Sequence, residues 1–240
     1  MAKLYVIGIG PGGVEHMTLK AIETIKSCDV IVGYTPYIDY VKDFIGDKEV
    51  FKTGMRGELE RCKKAIEFTI EGKNTAIIST GDSGLYGMAG PILELRQDVD
   101  VEIIPGITAA FSAASELGSP IMHDYASISL SDLLTPWEVI EKRLEKSAEA
   151  DFVITLYNPK SKGRADHLEK AINIILKHKS PSTPVGIIKN SGRPNTEKWI
   201  TTLDNICYEK VDMMSIVIIG NKSTYIKNNE IITPRGYLIK

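Results

Sequence analysis

Three short apolar runs in the first half of the chain each lead into glycine. Leu4–Ile9 runs into Gly8-Ile9-Gly10-Pro11-Gly12-Gly13, Asn74–Thr80 into Gly81-Asp82-Ser83-Gly84, and Val101–Ile104 into Pro105-Gly106. Runs of this length, bounded by turn residues, read as buried strands. Helix-period segments alternate with them. Thr18–Ser27 carries Leu19, Ile22 and Ile25 with Thr18 as N-cap, Leu59–Glu71 carries Cys62, Ala65, Ile66 and Ile70, and Ile107–Leu117 is rich in alanine and serine. Asp29–Gly33 adds a further strand. Strand–helix alternation restricts this half to an α/β layer around a largely parallel sheet. In such sheets ligands sit at the carboxyl ends of the strands, where all three glycine turns fall.

Gly118-Ser119-Pro120 marks a boundary, because glycine ends a helix and proline blocks its continuation. The expected domains are 1–117 and 118–240. The second half reads as mixed α+β. Ser127–Leu130, Asp151–Leu156, Pro184–Lys189, Trp199–Leu203 and Ser215–Gly220 are expected strands, and Asp166–Lys179 is an expected helix. Another helix opens at Thr135-Pro136-Trp137-Glu138, with Thr135 as cap and Pro136 as its first residue.

Charge excludes some partners. The net charge of -2 gives no case for a nucleic-acid polyanion. The halves differ slightly, with twelve Lys+Arg against seventeen Asp+Glu before Gly118 and seventeen against fourteen from there on, an asymmetry no larger than chance supplies. Cys28, Cys62 and Cys207 have neither disulfide nor zinc spacing, so no metal is expected. No apolar stretch approaches the ~20 residues that cross a bilayer. The chain also starts without a leader pattern, so a cytoplasmic protein without membrane association is expected.

Gly8-x-Gly10-x-x-Gly13 is formally a dinucleotide fingerprint. A dinucleotide site wants an acidic residue at the end of the next strand, and Gly33 stands there. Pro11 removes a backbone donor that a pyrophosphate would use. The loop reads as a ligand loop for something else, against a bare tight turn. Asp82 offers an acceptor or caps its own turn, and Thr108 offers a hydroxyl beside small alanines. In the second half, Lys160, Lys162 and Arg164 follow one strand and Lys189, Asn190 and Arg193 end another. These groups hold carboxylates or form solvated basic loops. His123-Asp124 and Ser129-Leu130-Ser131-Asp132 lie just past the boundary as candidate lining of an interdomain cleft, with capping as the plainer role of Asp132. No nucleophile elbow, P-loop or zinc-protease motif occurs, so no catalytic residue is assigned.

Val6-Ile7-Gly8-Ile9-Gly10-Pro11-Gly12, Thr80-Gly81-Asp82 and Pro105-Gly106-Ile107-Thr108-Ala109-Ala110, in this order, resemble the tetrapyrrole methylases of cobalamin and sirohaem synthesis. Two longer segments, 123–137 and 151–161, resemble the precorrin-3B C17-methyltransferase branch, which also acts on cobalt-factor III. The family often has an aspartate where this chain has Gly13. The resemblance implies two α/β domains, a parallel-sheet N-terminal one and a mixed C-terminal one, with the active site in the trough between them. It implies S-adenosylmethionine as cofactor, a polycarboxylate tetrapyrrole as substrate, methylation at C17 coupled to ring contraction, and a homodimer.

Carried over by position, the cofactor contacts are Pro11, Gly81, Asp82, Leu85, Thr108 and Ala109, with Leu156, Tyr157 and Asn190 from the second half. Ser129, Ser131 and Asp132 are expected on the substrate face, and Lys160, Arg164, Lys189 and Arg193 as anchors for substrate carboxylates. Diphthine synthase and ribosomal RNA ribose methyltransferases are rivals within the superfamily. A nicotinamide-dependent oxidoreductase and a non-enzymatic corrinoid binder are rivals outside it.

Overall fold

Leu4, Val6 and Ile7 are all fully buried, so the strand they belong to, β1 (Lys3–Gly8), needs cover on both faces. It gets that cover at the inside of a five-stranded sheet. The computed structural model describes residues 2–161 and 163–238. The chain divides into two compact units between Ala109 and Ala110.

In the first unit, β2 (Val30–Tyr34), β3 (Glu49–Thr53), β4 (Thr75–Ser79) and β5 (Asp100–Ile104) join β1 in the order β3-β2-β4-β1-β5. Every pairing is parallel. On one face, α1 (Leu19–Ser27) and α2 (Thr35–Ile45) pack on Ile7, Ile31, Ile78 and Ile104. On the other, α3 (Glu58–Ile70) and α4 (Ala89–Leu95) pack on Leu4, Val6, Val30, Val32 and Ile77. Adjacent strands β1 and β4 therefore send the chain to opposite faces, β1 to α1 and β4 to α4. A sheet whose crossovers diverge in this way opens a crevice at the carboxyl ends of those two strands.

Thr18 caps α1 as expected, its hydroxyl accepting from Ala21 N at 3.1 Å. The sequence reading did not assign α2, β3 or α4. α2 carries Ile38, Val41 and Ile45 on its buried side, and Pro36 stands in its first turn, where no intrahelical N–H is required. β3 is a sheet edge and is largely exposed, so it lacks an apolar run. α4 has only seven residues and begins Ala89-Gly90-Pro91, which reads as a loop.

The second unit holds a mixed sheet, β10 (Glu197–Thr202), β9 (Pro184–Lys189), β11 (Ser215–Ile219), β8 (Val153–Tyr157) and β7 (Tyr125–Ser129), in that spatial order. β7 runs parallel to β8, and the other pairs are antiparallel. β7, β8 and β9 consequently point the same way and end at one edge. Helices α6 (Trp137–Glu149) and α7 (His167–Ile175) bury Ile140, Leu144, Leu168, Ile172 and Ile175 against one face. On the other face, Gly186 leaves room for Leu117, at the end of α5 (Ala109–Leu117), and for Ile231; a Cβ there would stand 2.4 Å from Leu117 Cδ1 and 2.9 Å from Ile231 Cδ1.

A small third sheet, β12 (Tyr225–Lys227), β13 (Glu230–Ile232) and β6 (Gly118–Ser119), was not anticipated. Its hairpin turns on Asn228-Asn229, both at positive φ, as a two-residue turn demands. Several boundaries shift, and α7 ends at Ile175 rather than Lys179. Thr135 does not cap α6: Pro136 is extended, with φ -54 and ψ 141, and serves as the N-cap, leaving Trp137 as the first helical residue. α5 starts at Ala109 rather than Ile107.

Candidate active site

Three loops meet at the carboxyl edge of β4-β1-β5. Ile9 N donates to Ser79 O at 3.0 Å. Gly10 and Gly81 then exchange a pair of backbone bonds, Gly10 N to Gly81 O at 3.1 Å and Gly81 N to Gly10 O at 2.7 Å. Both glycines hold φ near +70°, a conformation that suits residues without a Cβ. Asp82 joins the second loop to the third. Its Oδ1 accepts from Gly84 N at 2.8 Å and Leu85 N at 3.1 Å, and its Oδ2 accepts from Gly106 N at 3.0 Å. The buried Ser83 hydroxyl adds a bond to Ile104 O at 3.2 Å.

The glycines have a different purpose from the one their sequence suggests. A Cβ on Gly8 would lie 2.7 Å from Gly106 N, and one on Gly106 would lie 2.2 Å from Gly81 O. Gly8 and Gly106 thus allow the loops to pack on one another, backbone to backbone. Around this fused core, Pro11 and Gly81 are buried, Asp82, Leu85, Thr108 and Ala109 are half-buried, and Tyr86 and Ile107 are exposed. The accessible surface is a mixed apolar and acceptor-bearing wall. A carboxylate has about four lone-pair sites, so Asp82 retains one beyond its three amides.

In the second unit, Ser129, Tyr157 and Lys189 end the three co-directional strands. Asn158 and Asn190, the next residues on β8 and β9, both turn through positive φ. Asn158 Nδ2 donates to Ser129 Oγ at 2.9 Å, and Ser131 N donates to the same oxygen at 3.2 Å. These bonds sew the loops after β7 and β8 together. The Tyr157 hydroxyl accepts from Ala110 N at 3.0 Å, at the start of α5. Further along the helix, Glu116 Oε1 accepts from Ser191 Oγ at 2.7 Å and Gly192 N at 3.3 Å. One small-residue helix is thereby fastened to the ends of both β8 and β9. Sequence reasoning missed Glu116 and Ser191; the visible signal was an asparagine closing each of two buried strands.

Each expected anchor already has partners. Lys160 Nζ donates to Tyr208 O at 3.1 Å and takes part in no ion pair among the described residues. Lys189 pairs with Asp212 at 3.0 Å, and Arg193 Nη1 meets Met214 Sδ at 3.9 Å. Arg164 is buried, with Nη1 3.9 Å from Asp132 Oδ1. His167, which the sequence reading passed over, is buried with Nε2 3.2 Å from Asp132 Oδ2. Burial opposes ionisation of Asp132, but the His167 imidazole, its own backbone amide and the Arg164 charge hold its carboxyl below the usual range. His123-Asp124 stands at the start of β7, a strand's length from Ser129. Lys162 lies outside the described residues.

Among the described residues, no group of three or more His, Cys, Asp or Glu is placed to hold a metal, and no helix is long and apolar enough to cross a membrane. A solved structure described as the methyltransferase CobJ superposes with a TM-score of 0.93 at 30% identity, covering 98% of this chain and 100% of that one. The family model for tetrapyrrole (corrin/porphyrin) methylases matches residues 3–207. A probable cobalt-factor III C(17)-methyltransferase of Salmonella typhimurium is 55% identical over 98% of this chain and 100% of its own length. A precorrin-3B C(17)-methyltransferase of a Sinorhizobium species is 35% identical over 98% and 96%.

Proposed function

The chain belongs to the tetrapyrrole (corrin/porphyrin) methylase family, and from that premise we propose that it moves the methyl group of S-adenosylmethionine to C17 of a corrinoid precursor in cobalamin biosynthesis. The methylation accompanies contraction of the macrocycle. Cobalt-factor III is the substrate we favour over precorrin-3B, because the relative named for it shares 55% identity against 35%.

The observation that carries the reading is the fusion of three glycine loops at the divergence of β1 and β4, through the Gly10–Gly81 bridge and the Asp82–Gly106 bond. The wall fits an adenosyl sulfonium better than a dinucleotide. Leu85 and Ala109 offer apolar surface for a flat base, and Thr108 and Asp82 offer polar atoms for a ribose or amino-acid group. A pyrophosphate needs converging N–H donors. Pro11 has none, and the Gly10 and Gly81 amides already donate to each other's carbonyls. The bound sulfonium supplies an activated methyl group to an electron-rich ring carbon.

The chain's own residues then have to bind and align, since in-line geometry provides much of the rate and no protein nucleophile is required. To the cofactor we assign Pro11, Gly81, Asp82, Leu85, Thr108 and Ala109, with Leu156, Tyr157 and Asn190. To the substrate we assign Ser129, Ser131 and Asp132, with Lys160, Arg164, Lys189 and Arg193 as anchors for its carboxylates. Lys160, in no ion pair among the described residues, has its charge available to a substrate carboxylate. A cytoplasmic homodimer without nucleic-acid partners completes the reading. A ligand that binds only the native state raises its melting temperature. S-adenosylhomocysteine is expected to raise it and NAD(P)H to leave it unmoved; stabilisation by NAD(P)H alone overturns the proposal.

A further inference from the structure

Three buried polar atoms without a well-formed hydrogen bond gather behind one half-exposed carboxylate. They are Arg164 Nε and both ring nitrogens of His167. Buried polar groups are almost always satisfied, so a concentration of exceptions calls for a reason. Arg164 is 9% exposed and His167 8%, whereas the Asp132 side chain is 35% exposed. His167 Nε2 lies 3.2 Å from Asp132 Oδ2, within ion-pair reach but off the line of a good hydrogen bond.

The surroundings allow the imidazole little freedom. The Trp137 ring meets it edge to face at 4.5 Å, and Trp137 is itself tied through Nε1 to Glu141 at 2.7 Å. Nδ1 faces Asp166 Oδ1 at 3.3 Å, while Lys170 takes the other oxygen of that carboxylate at 2.7 Å. Asp132 is thus the outward partner of a ring locked from behind. It differs in this from Asp82, whose carboxylate is held by three backbone amides and serves the loops themselves. A carboxylate that only shaped its own loop would be held by several amides in the same way, whereas Asp132 has only its own beside the two buried side chains. A buried imidazole and a buried guanidinium behind an accessible carboxylate instead resemble the orienting partner of a reactive group.

We propose that His167, with Arg164 beside it, is a positioning residue that fixes the Asp132 carboxylate against the substrate. This rests on the assignment of Asp132 to the substrate face. The test compares kcat and KM for Asp132→Asn, His167→Phe, His167→Gln and the double variant Asp132→Asn/His167→Phe, with S-adenosylhomocysteine titration and a thermal melt on each. Displacing a positioned group is expected to lower kcat by about 10- to 100-fold, with the cofactor KM unchanged. Asp132→Asn and His167→Phe should each show that loss, and the double variant should be no worse than Asp132→Asn, because His167 acts through Asp132. His167→Gln, whose amide reaches the Nε2 position, should recover most of the activity lost in His167→Phe. If His167→Phe does not fold, His167→Asn, whose amide stops short of Asp132, replaces it.

An active His167→Phe beside a crippled Asp132→Asn overturns the proposal, as do losses that multiply in the double variant. A fully active Asp132→Asn instead brings down the substrate assignment itself, and the proposal with it.

Discussion

Gly106 and Gly90 are indistinguishable as letters in a sequence, yet they stand in opposite situations. A Cβ on Gly106 would press 2.2 Å from Gly81 O, against backbone that cannot give way, while one on Gly90 meets nothing within 4 Å. Gly106→Ala should therefore destabilise the protein by more than about 2 kcal/mol in urea melts, as overpacking does. Gly90→Ala, in a helix, should stabilise it by about 0.5–1 kcal/mol. The glycines were legible in the sequence as a loop feature. What fills their missing side chains was not, because that depends on β4, β1 and β5 being neighbours, a fact of pairing between distant segments. Cysteines give a second residue-level prediction. Burial pushes the Cys28 thiol up to about 12 and the Cys62 thiol up to about 11, whereas Cys207 is exposed. At pH 8, alkylation of the native protein should modify Cys207 alone, and denaturation should release all three, read by mass. A raised thiol pKa favours the neutral form in the fold. The contribution is therefore complete below the ordinary value of 9.0 and is lost as pH climbs towards about 12. Melting temperatures should fall across that interval, and should fall less in a Cys28→Ala variant.

Strong periodicity made α1 and α3 visible, an opening signature at Thr135-Pro136-Trp137-Glu138 did so for α6, and continuous apolar runs did the same for β1, β4, β8, β9 and β11. Of the elements left unseen, α2 carries a periodic face of its own, Ile38, Val41 and Ile45, but most of the others draw their stability from elsewhere. β3 is a polar edge strand held by β2, β6 is two residues long, and β12 and β13 form a hairpin held partly by β6. The same reasoning applies to the candidate site. Individual loops were readable, but the helix α5 that fastens two of them reads only as a stretch of small residues. Tyr157 Oη at its first turn and Glu116 near its last turn define its position. Glu116→Ala removes the charged acceptor shared by Ser191 Oγ and Gly192 N, while Ser191 keeps its 2.7 Å bond to Ser112 Oγ, and losing a hydrogen bond to a charged group costs about 1.5–3 kcal/mol. The variant should melt earlier by that margin. If Asn190 contacts the cofactor, the variant should also bind S-adenosylhomocysteine more weakly, since the segment Asn190-Ser191-Gly192 loses its tether. Isothermal titration reads that effect, and unchanged affinity would remove Asn190 from the cofactor assignment.

Across the molecule, a parallel unit with diverging crossovers is joined to a mixed unit whose three co-directional strands end at one edge. Methyl transfer by such a chain depends on holding a sulfonium and a ring carbon in line, which explains why neither a nucleophile nor a metal motif is present in the sequence. The most direct measurement supplies the purified protein with cobalt-factor III and S-adenosylmethionine carrying an isotopic label in its methyl group, and then reads the mass and absorption spectrum of the tetrapyrrole. The account predicts one labelled methyl group on the macrocycle, formed in step with S-adenosylhomocysteine, and a spectrum changed by ring contraction. An unlabelled, spectrally unaltered macrocycle recovered from protein that binds S-adenosylhomocysteine would contradict it.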